Sequence, residues 1–412
     1  MQTIEFQNPL LAALRADPKS SKLFNTDAIM LAYKTAFPVL DYGMGTSVNV
    51  FDADGKLVET YPSVGIPAGS YITIAGKSAV GKTTLAVQIA SNIVRPFPAG
   101  FVEHYDIETS SNRTRVSNLS RFPINMLDQK YVLKQIDCSL ESLKEIIAKM
   151  WTEKTSNPDK YQYNTGYKDE YGKDIIAYQP TCIIVDSIAS ITTYINPNTK
   201  EGKVKIEEIT SQTDVMRLNG EISRFLKESR GMIKEANIIV FFINHIKPKP
   251  SVGFPEQADL RYLKQNENLP CGRALQYYSD IMLRLTSVGS ETYTVAEHGF
   301  DGFGVIAQFM KNRSNVDGTV VPLTFQKVKG YDPLRSNWYY AKEKGMLGGN
   351  KNGYYFLDAK DKKFTFKDMH TEFKADRGLY TVMYDHIIPV LKDTLSSVSP
   401  DELEVLDEEM AY

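Results

Sequence analysis

The chain is short of the features that mark several protein classes. No apolar run approaches the ~20 residues a membrane helix needs, and the opening "MQTIEFQNPLL" carries no basic stretch of the kind that precedes a secretory leader. Neither a membrane span nor an export signal is therefore expected. Cysteine is scarce: Cys138, Cys182 and Cys271 are the three present, without disulfide or metal-ligand spacing. They suit ordinary thiols in a reducing cytoplasm. No internal repeat is found. Net charge is also small, −2 over 412 residues, which argues against a nucleic-acid partner until its distribution is considered. The last twelve residues, "DELEVLDEEMAY", hold six acids and no base. Without them the body sums to −2 + 6 = +4. A mildly basic body with an acidic tail is compatible with DNA.

What is present centres on "AGKSAVGKTTLA". Gly76, Gly81, Lys82 and Thr83 satisfy G-x-x-x-x-G-K-[ST], with Thr84 behind. The spacing lets the backbone amides of Lys77, Ser78, Ala79, Val80 and Gly81 turn inward around a phosphate, and the following helix aims its positive end there. Lys82 would reach the β/γ-phosphates of ATP and Thr83 would coordinate Mg²⁺. The flanks agree, since "SYITIAG" reads as a strand and "TTLAVQIASNIV" is apolar at helical spacing.

From Gly65 to about Leu285, strand-like runs ("YITIAG", "FVEHYDI", "KYVLKQID", "TCIIVDS", "NIIVFFIN", "DIMLRL") alternate with helical ones. That pattern predicts an α/β fold with a mainly parallel twisted sheet. Ligands bind such sheets at the C-terminal strand ends. There the chain places Asp106 and Glu108, Asp186, and Asn244 with His245. Glu108 is a candidate to orient the water attacking the γ-phosphate, and Asp186 to assist Mg²⁺. Upstream, "NPLLAALRA" reads as a helix and "AIMLAYKTAFPVL" as an extended or mixed segment ended by Pro38. "FDADGKLVETYPS" reads as a hairpin turning at Asp-Gly. The tyrosine-rich stretch 152–180 reads as a surface insertion. The expected organisation is an N-terminal oligomerisation segment (1–48), an ATPase core with DNA-binding loops (49–330) and a small C-terminal region with the acidic tail (331–412).

These residues resemble the RecA superfamily of strand-exchange recombinases, most closely its phage UvsX-type branch. The likeness covers roughly residues 20–355 and rests on "GIPAGSYITIAGKSAVGKTTLA", "YDIET", "IIVDSIASI", "FFINHIKPKP", "FMKNRSNVDGTVVPLTF" and "GYDPLRSNWYYAKEKGML…NGYYF". It implies an ATP-dependent, Mg²⁺-requiring recombinase that coats single-stranded DNA as a homo-oligomeric helical filament and exchanges strands with duplex DNA. Single-strand-binding and loader proteins would be its further partners, and the cytoplasm its place. Glu108 matches the catalytic glutamate and Asp186 the Walker B aspartate. His245 matches the residue sensing the γ-phosphate, and Arg115 the one that stacks on adenine. Lys311 and Arg313 match a basic pair reaching ATP on the adjacent subunit, and their spacing puts both on one face of a strand.

The resemblance also implies two disordered DNA-binding loops. The first, around 190–212, offers Lys200, Lys203 and Lys205. The second, 246–272, offers Lys247, Lys249 and the aromatic Phe254, with Arg261, Lys264 and Arg273 at its far limb, where the family's double glycine reads Cys271-Gly272. Cations for the backbone plus a stacking ring suit single-strand binding without sequence preference. A strand around 29–37 is expected to lie on the neighbouring subunit. Two rivals share parts of this pattern. A hexameric helicase would lack "DSIA" and "INH" and carry a large N-terminal helical domain. A non-catalytic mediator would not need every catalytic position filled.

Overall fold

The computed structural model describes residues 31–51, 57–136, 138–168, 174–196, 201–205, 212–248 and 261–395. A nine-stranded sheet organises them. Its strands, numbered along the chain, are β1 Tyr71–Gly76, β2 Val102–Asp106, β3 Tyr131–Lys134, β4 Thr181–Asp186, β5 Ile238–His245, β6 Ile281–Tyr293, β7 Gly302–Asn312, β8 Val320–Gln326 and β9 Gly330–Tyr331. Their order across the sheet is β3-β2-β4-β5-β1-β6-β7-β8-β9. The pairs from β3 to β6 are all parallel, and those from β6 to β9 antiparallel. All six strands read from sequence are present.

The apolar runs explain why both faces are covered. In β4, Cys182 and Ile184 face one way while Ile183 and Val185 face the other, and all four are fully buried. A strand without a polar face requires helices on both sides. On one face the helix Lys82–Val94 (α2) brings Leu85, Ile89 and Ile93 onto Ile72, Ile74, Ile184 and Phe241. On the other, Leu140–Ser156 (α5) and Gln212–Glu235 (α6) bring Leu143, Ile147, Ile222, Phe225 and Leu226 onto Tyr71, Ile183, Val185 and Val240. The capping box formed by Ser139 and Ser142 starts α5 where the sequence changes from strand to helix.

Two local expectations need revision. Pro38 opens the helix Pro38–Gly43 (α1) rather than closing an extended segment. At the first helical position the missing amide costs nothing. Next, Ala32–Tyr33 pairs with Ile66–Pro67 of the same chain, and Tyr33 and Phe37 are buried in the chain's own core. The part of 29–37 that is described is thus occupied within its own subunit. The tyrosine-rich stretch, read as a surface insertion, includes an exposed to half-buried hairpin, Gln162–Lys168 against Asp174–Tyr178, tied inward by Tyr163. The Tyr163 hydroxyl lies 3.0 Å from that of Tyr33, and its ring packs edge-on to Phe97. The Asp-Gly hairpin is present as Thr46–Phe51 against Leu57–Ser63, its turn outside the described residues. The expected helix "NPLLAALRA" and the acidic tail also lie outside them.

Beyond β9, Pro333–Glu343 (α8), Met369–Ala375 (α9) and Gly378–Lys392 (α10) close over one end of the sheet. Trp338, Phe356, Phe373 and Met383 join the same core as Ile72 and Leu85. No helix among the described residues is long and apolar enough to cross a membrane.

Candidate nucleotide site and DNA-facing loops

The loop between β1 and α2 runs at the C-terminal edge of the parallel strands. Ala79 and Gly81 take positive φ (63° and 85°), which turns the chain so that α2 starts at Lys82. Gly81 is required on a second count, because a Cβ there would sit 2.8 Å from the Phe325 ring. Lys77, Ser78 and Ala79 are exposed, whereas Val80 and Lys82 are buried.

The side chains expected to act together do converge. Lys82 Nζ donates to the Lys77 carbonyl at 2.9 Å and lies 3.4 Å from His245 Nδ1. His245 Nε2 lies 3.0 Å from Glu108 Oε1. Thr83 donates its hydroxyl to Asp186 at 2.5 Å. The register explains this: Asp186 pairs with Asp106 across β4/β2, and His245 with Gly76 across β5/β1. One edge thereby collects residues from positions 76 to 245. Asp106 is a scaffold here, accepting from the amides of Ser110 and Ser111 and from Gln135 Nε2, at 3.1, 2.9 and 2.8 Å.

The electrostatics match an anion and a divalent cation. Burial lowers the Lys82 amine, although Asp186 and Glu108 oppose that shift. Burial pushes the Asp186 carboxyl up to about 6. Each is a buried charge whose solvation would be replaced by an opposite charge, phosphate for Lys82 and Mg²⁺ for Asp186 and Thr83. Glu108 is shifted down, chiefly by its hydrogen bond to His245. It is ionised at neutral pH, as a water-orienting group must be.

Beside the P-loop lies a cleft of about 360 Å³ lined by Thr84, Asn112, Arg115, Phe325, Lys327 and Gly330, among others. Arg115 stands on the short helix Arg113–Ser120 (α3), capped by Asn112, and faces this cleft as expected. The opposite wall was missed. It comes from β8 and β9, joined to the P-loop helix by paired bonds: Tyr331 N to Gln88 Oε1 at 2.8 Å and Gln88 Nε2 to Tyr331 O at 3.0 Å. Tyr331 also donates its hydroxyl to Val80 O at 2.7 Å. The glycine and aromatic of "KGYD" were the available signal.

Lys311 and Arg313 lie elsewhere. Lys311 is in β7 and Arg313 just beyond it, so the pair does not share one strand face as expected. They meet instead on the last turn of Gly272–Tyr278 (α7). Lys311 Nζ donates to the carbonyls of Gln276 and Tyr277, the latter at 3.1 Å, and Arg313 Nη2 to Tyr277 O at 2.8 Å. Arg313 N bonds Asp280 O, and Asp280 N bonds Tyr71 O, which is the first residue of β1. The P-loop follows the last. A six-residue strand spans about 17 Å at ~3.3 Å per residue, so Arg313 stands toward the opposite end of the sheet from its own P-loop, with Lys311 level with Thr73.

The first loop begins as a hairpin. Thr192–Asn196 pairs with Glu201–Lys205, placing Lys203 opposite Tyr194 and Lys205 opposite Thr192. In the second, Lys247–Pro248 pairs with Glu267–Asn268. Arg284 secures its returning limb through Glu267 and the Tyr262 carbonyl, at 2.8 and 2.6 Å. Arg261, Lys264 and Arg273 are exposed around that limb. Lys200, Lys249 and Phe254 lie outside the described residues.

The sheet with its flanking helices is a RecA-type α/β core. No family profile matches the chain. It is 25% identical to Protein RecA of Mycoplasma mobile over 383 residues, which is 92% of this chain and 96% of the relative. Identity is also 25% to Protein RecA of Mycoplasmopsis pulmonis, over 71% of this chain and 68% of the relative. For Protein RecA of Aquifex aeolicus it is again 25%, over 66% and 67%. Similarity of this extent on this fold supports a RecA-type recombinase.

Proposed function

We propose that the chain is an ATP-dependent DNA recombinase of the UvsX-like kind, which forms a helical filament on single-stranded DNA and exchanges strands with a homologous duplex. The observation that carries the reading is the convergence of Lys82, Thr83, Asp186, Glu108 and His245 on one sheet edge, with the Lys311 and Arg313 pair held apart from it on the α7 carbonyls. Lys82 and the P-loop amides hold the phosphates, and Thr83 and Asp186 hold Mg²⁺, whose charge would offset that on the transferring γ-phosphoryl group. Arg115 and the β8–β9 wall take the base. Glu108 orients the attacking water. His245, bonded to Glu108 and seated at the entry to the second loop, links nucleotide occupancy to that loop. Lys311 and Arg313 of the next subunit supply the additional cations, so each active site is completed only on assembly. The two loops, with Lys203, Lys205, Lys247, Arg261, Lys264 and Arg273 described and Lys200, Lys249 and Phe254 beyond, follow the DNA backbone. The N-terminal segment, residues 1–48, mediates assembly. Residues 49–330 form the catalytic core, and 331–412 the C-terminal region.

Single-stranded-DNA-stimulated ATPase of the wild type and of Glu108→Gln tests this. The variant is expected to bind ATP and DNA normally while turning over about 10²–10⁴ times more slowly. Wild-type turnover in the variant would remove Glu108 from its role. No stimulation of the wild type by DNA would overturn the reading.

A further inference from the structure

The edge of the sheet far from the P-loop carries a charged knot. At its centre is Asp280, in the step between α7 and β6, with only 11% of its side chain exposed. Arg230, from α6, grips both carboxylate oxygens at 2.6 and 2.5 Å. The Tyr71 amide donates to Oδ2 at 2.9 Å. Arg313 Nη1 lies 3.6 Å from Oδ1. Lys311 stands beside them on the α7 carbonyls.

One carboxylate therefore holds two guanidinium groups, Arg230 and Arg313, that would otherwise repel each other and the Lys311 amine beside them. The arrangement is more than a satisfied buried acid. Arg230 and the Tyr71 amide already fill its main acceptor directions, yet Arg313 is brought to it as well, with its backbone amide fixed to the Asp280 carbonyl. The α7 carbonyls add the negative end of a helix turn. Two helices meet here, and each follows one candidate DNA loop: α6 comes after the hairpin that ends at Lys205, and α7 after the limb that carries Arg261 and Lys264.

Resting on the reading of Lys311 and Arg313 as cations for the neighbouring nucleotide, we propose that Asp280 is the positioning residue for that pair, its own orientation set by Arg230. Asp280 meets the P-loop strand at its first residue, Tyr71, and touches none of Lys82, Thr83, Asp186, Glu108 or His245, so its loss is expected to fall on turnover more than on ATP affinity. The groups facing Lys311 give a signature that a purely structural role lacks. Burial first, then Arg313 and Arg230, push its amine down to about 8, while Asp280 and Asp317 oppose them. Removing Asp280 lowers Lys311 further, whereas removing Arg230 raises it.

The test measures DNA-stimulated ATPase from pH 6.5 to 10 for the wild type, Asp280→Asn, Arg230→Gln and Lys311→Ala, with thermal melts alongside. Asp280→Asn is expected to lose about tenfold or more in kcat at unchanged KM for ATP, with its alkaline limb moved to lower pH by about one unit. Arg230→Gln is expected to move the limb the other way. Limbs that stay in place, or that move in the same direction, overturn the proposal while leaving the trans reading intact. Wild-type turnover in Lys311→Ala overturns the trans reading itself, and the proposal with it. Should Asp280→Asn fail to fold, Arg230→Gln decides alone: an upward move supports the assignment, and any other result overturns it.

Discussion

Mixing two inactive variants measures where the second half of the active site comes from. Lys82→Ala removes the cation proposed to meet the phosphates, and Lys311→Ala removes one of the pair proposed to complete the neighbour's site. Lys311 stands level with Thr73, about 10 Å short of Gly76 along the strand direction and with β6 between, and its amine is held on the α7 carbonyls, so the two groups are assigned to different nucleotides. Each variant alone should be inactive, because a missing finger costs about 10³–10⁵ in rate. In a head-to-tail assembly every interface joins one subunit's P-loop to the next subunit's cations. At equal mixing, one half of the subunits keep the P-loop and the other half keep Lys311, so about one quarter of interfaces are fully intact. ATPase should therefore recover toward about a quarter of wild type, with a maximum at equal proportions and a fall on either side. Dilution of wild type by each variant separately provides the control for cooperativity along the filament. Zero activity at all ratios, in filaments shown to contain both variants and with a gradual dilution curve, would refute the trans arrangement.

Three further outcomes follow from particular contacts. Gly330→Ala would place a Cβ 2.6 Å from Thr84 Cγ2 and 2.8 Å from Gln88 Oε1 at a residue with φ +78°. Weaker ATP binding, as a raised KM, and a melting temperature lowered by a change of about 1–3 kcal/mol are expected; an unchanged KM would remove the β8–β9 wall from the nucleotide cleft. Lys154 is buried, donates to the carbonyls of Gln179 and Ala236 at 2.8 Å each, and has its amine pushed down to about 7 from 10.5 by burial. Between those values the unfolded chain binds the extra proton, so stability rises with pH from about 7 to 10, by up to about 4 kcal/mol. Lys154→Met should flatten that rise in denaturant titrations, and an equally steep rise in the variant would contradict it. Deleting residues 401–412 removes six negative charges. Duplex-DNA affinity should increase, more so at low salt, and equal affinity at low salt would exclude competition by the tail.

The legible parts of this protein were those fixed by local spacing. The P-loop is one turn between a strand and a helix, and its residues are consecutive. Glu108, Asp186 and His245 were legible because each ends an apolar run, and the parallel register then brings such ends together. The far wall of the nucleotide cleft was not, since Phe325 and Gly330 arrive through antiparallel strands some 240 residues from Gln88, the residue that anchors them. Asp280 was hidden for the same reason: its partner Arg230 lies 50 positions away on a different helix. The placement of the Lys311 and Arg313 pair on the α7 carbonyls came only with the fold. Pro38 misled because proline opens a helix as readily as it ends a strand.

Electron microscopy of the full chain on single-stranded DNA with a slowly hydrolysed ATP analogue tests the central claim most directly. Continuous helical filaments, in which each subunit presents its Lys311 edge to the next subunit's P-loop, are the predicted result. Closed six-membered rings, or particles whose nucleotide sites are complete within one chain, would contradict it.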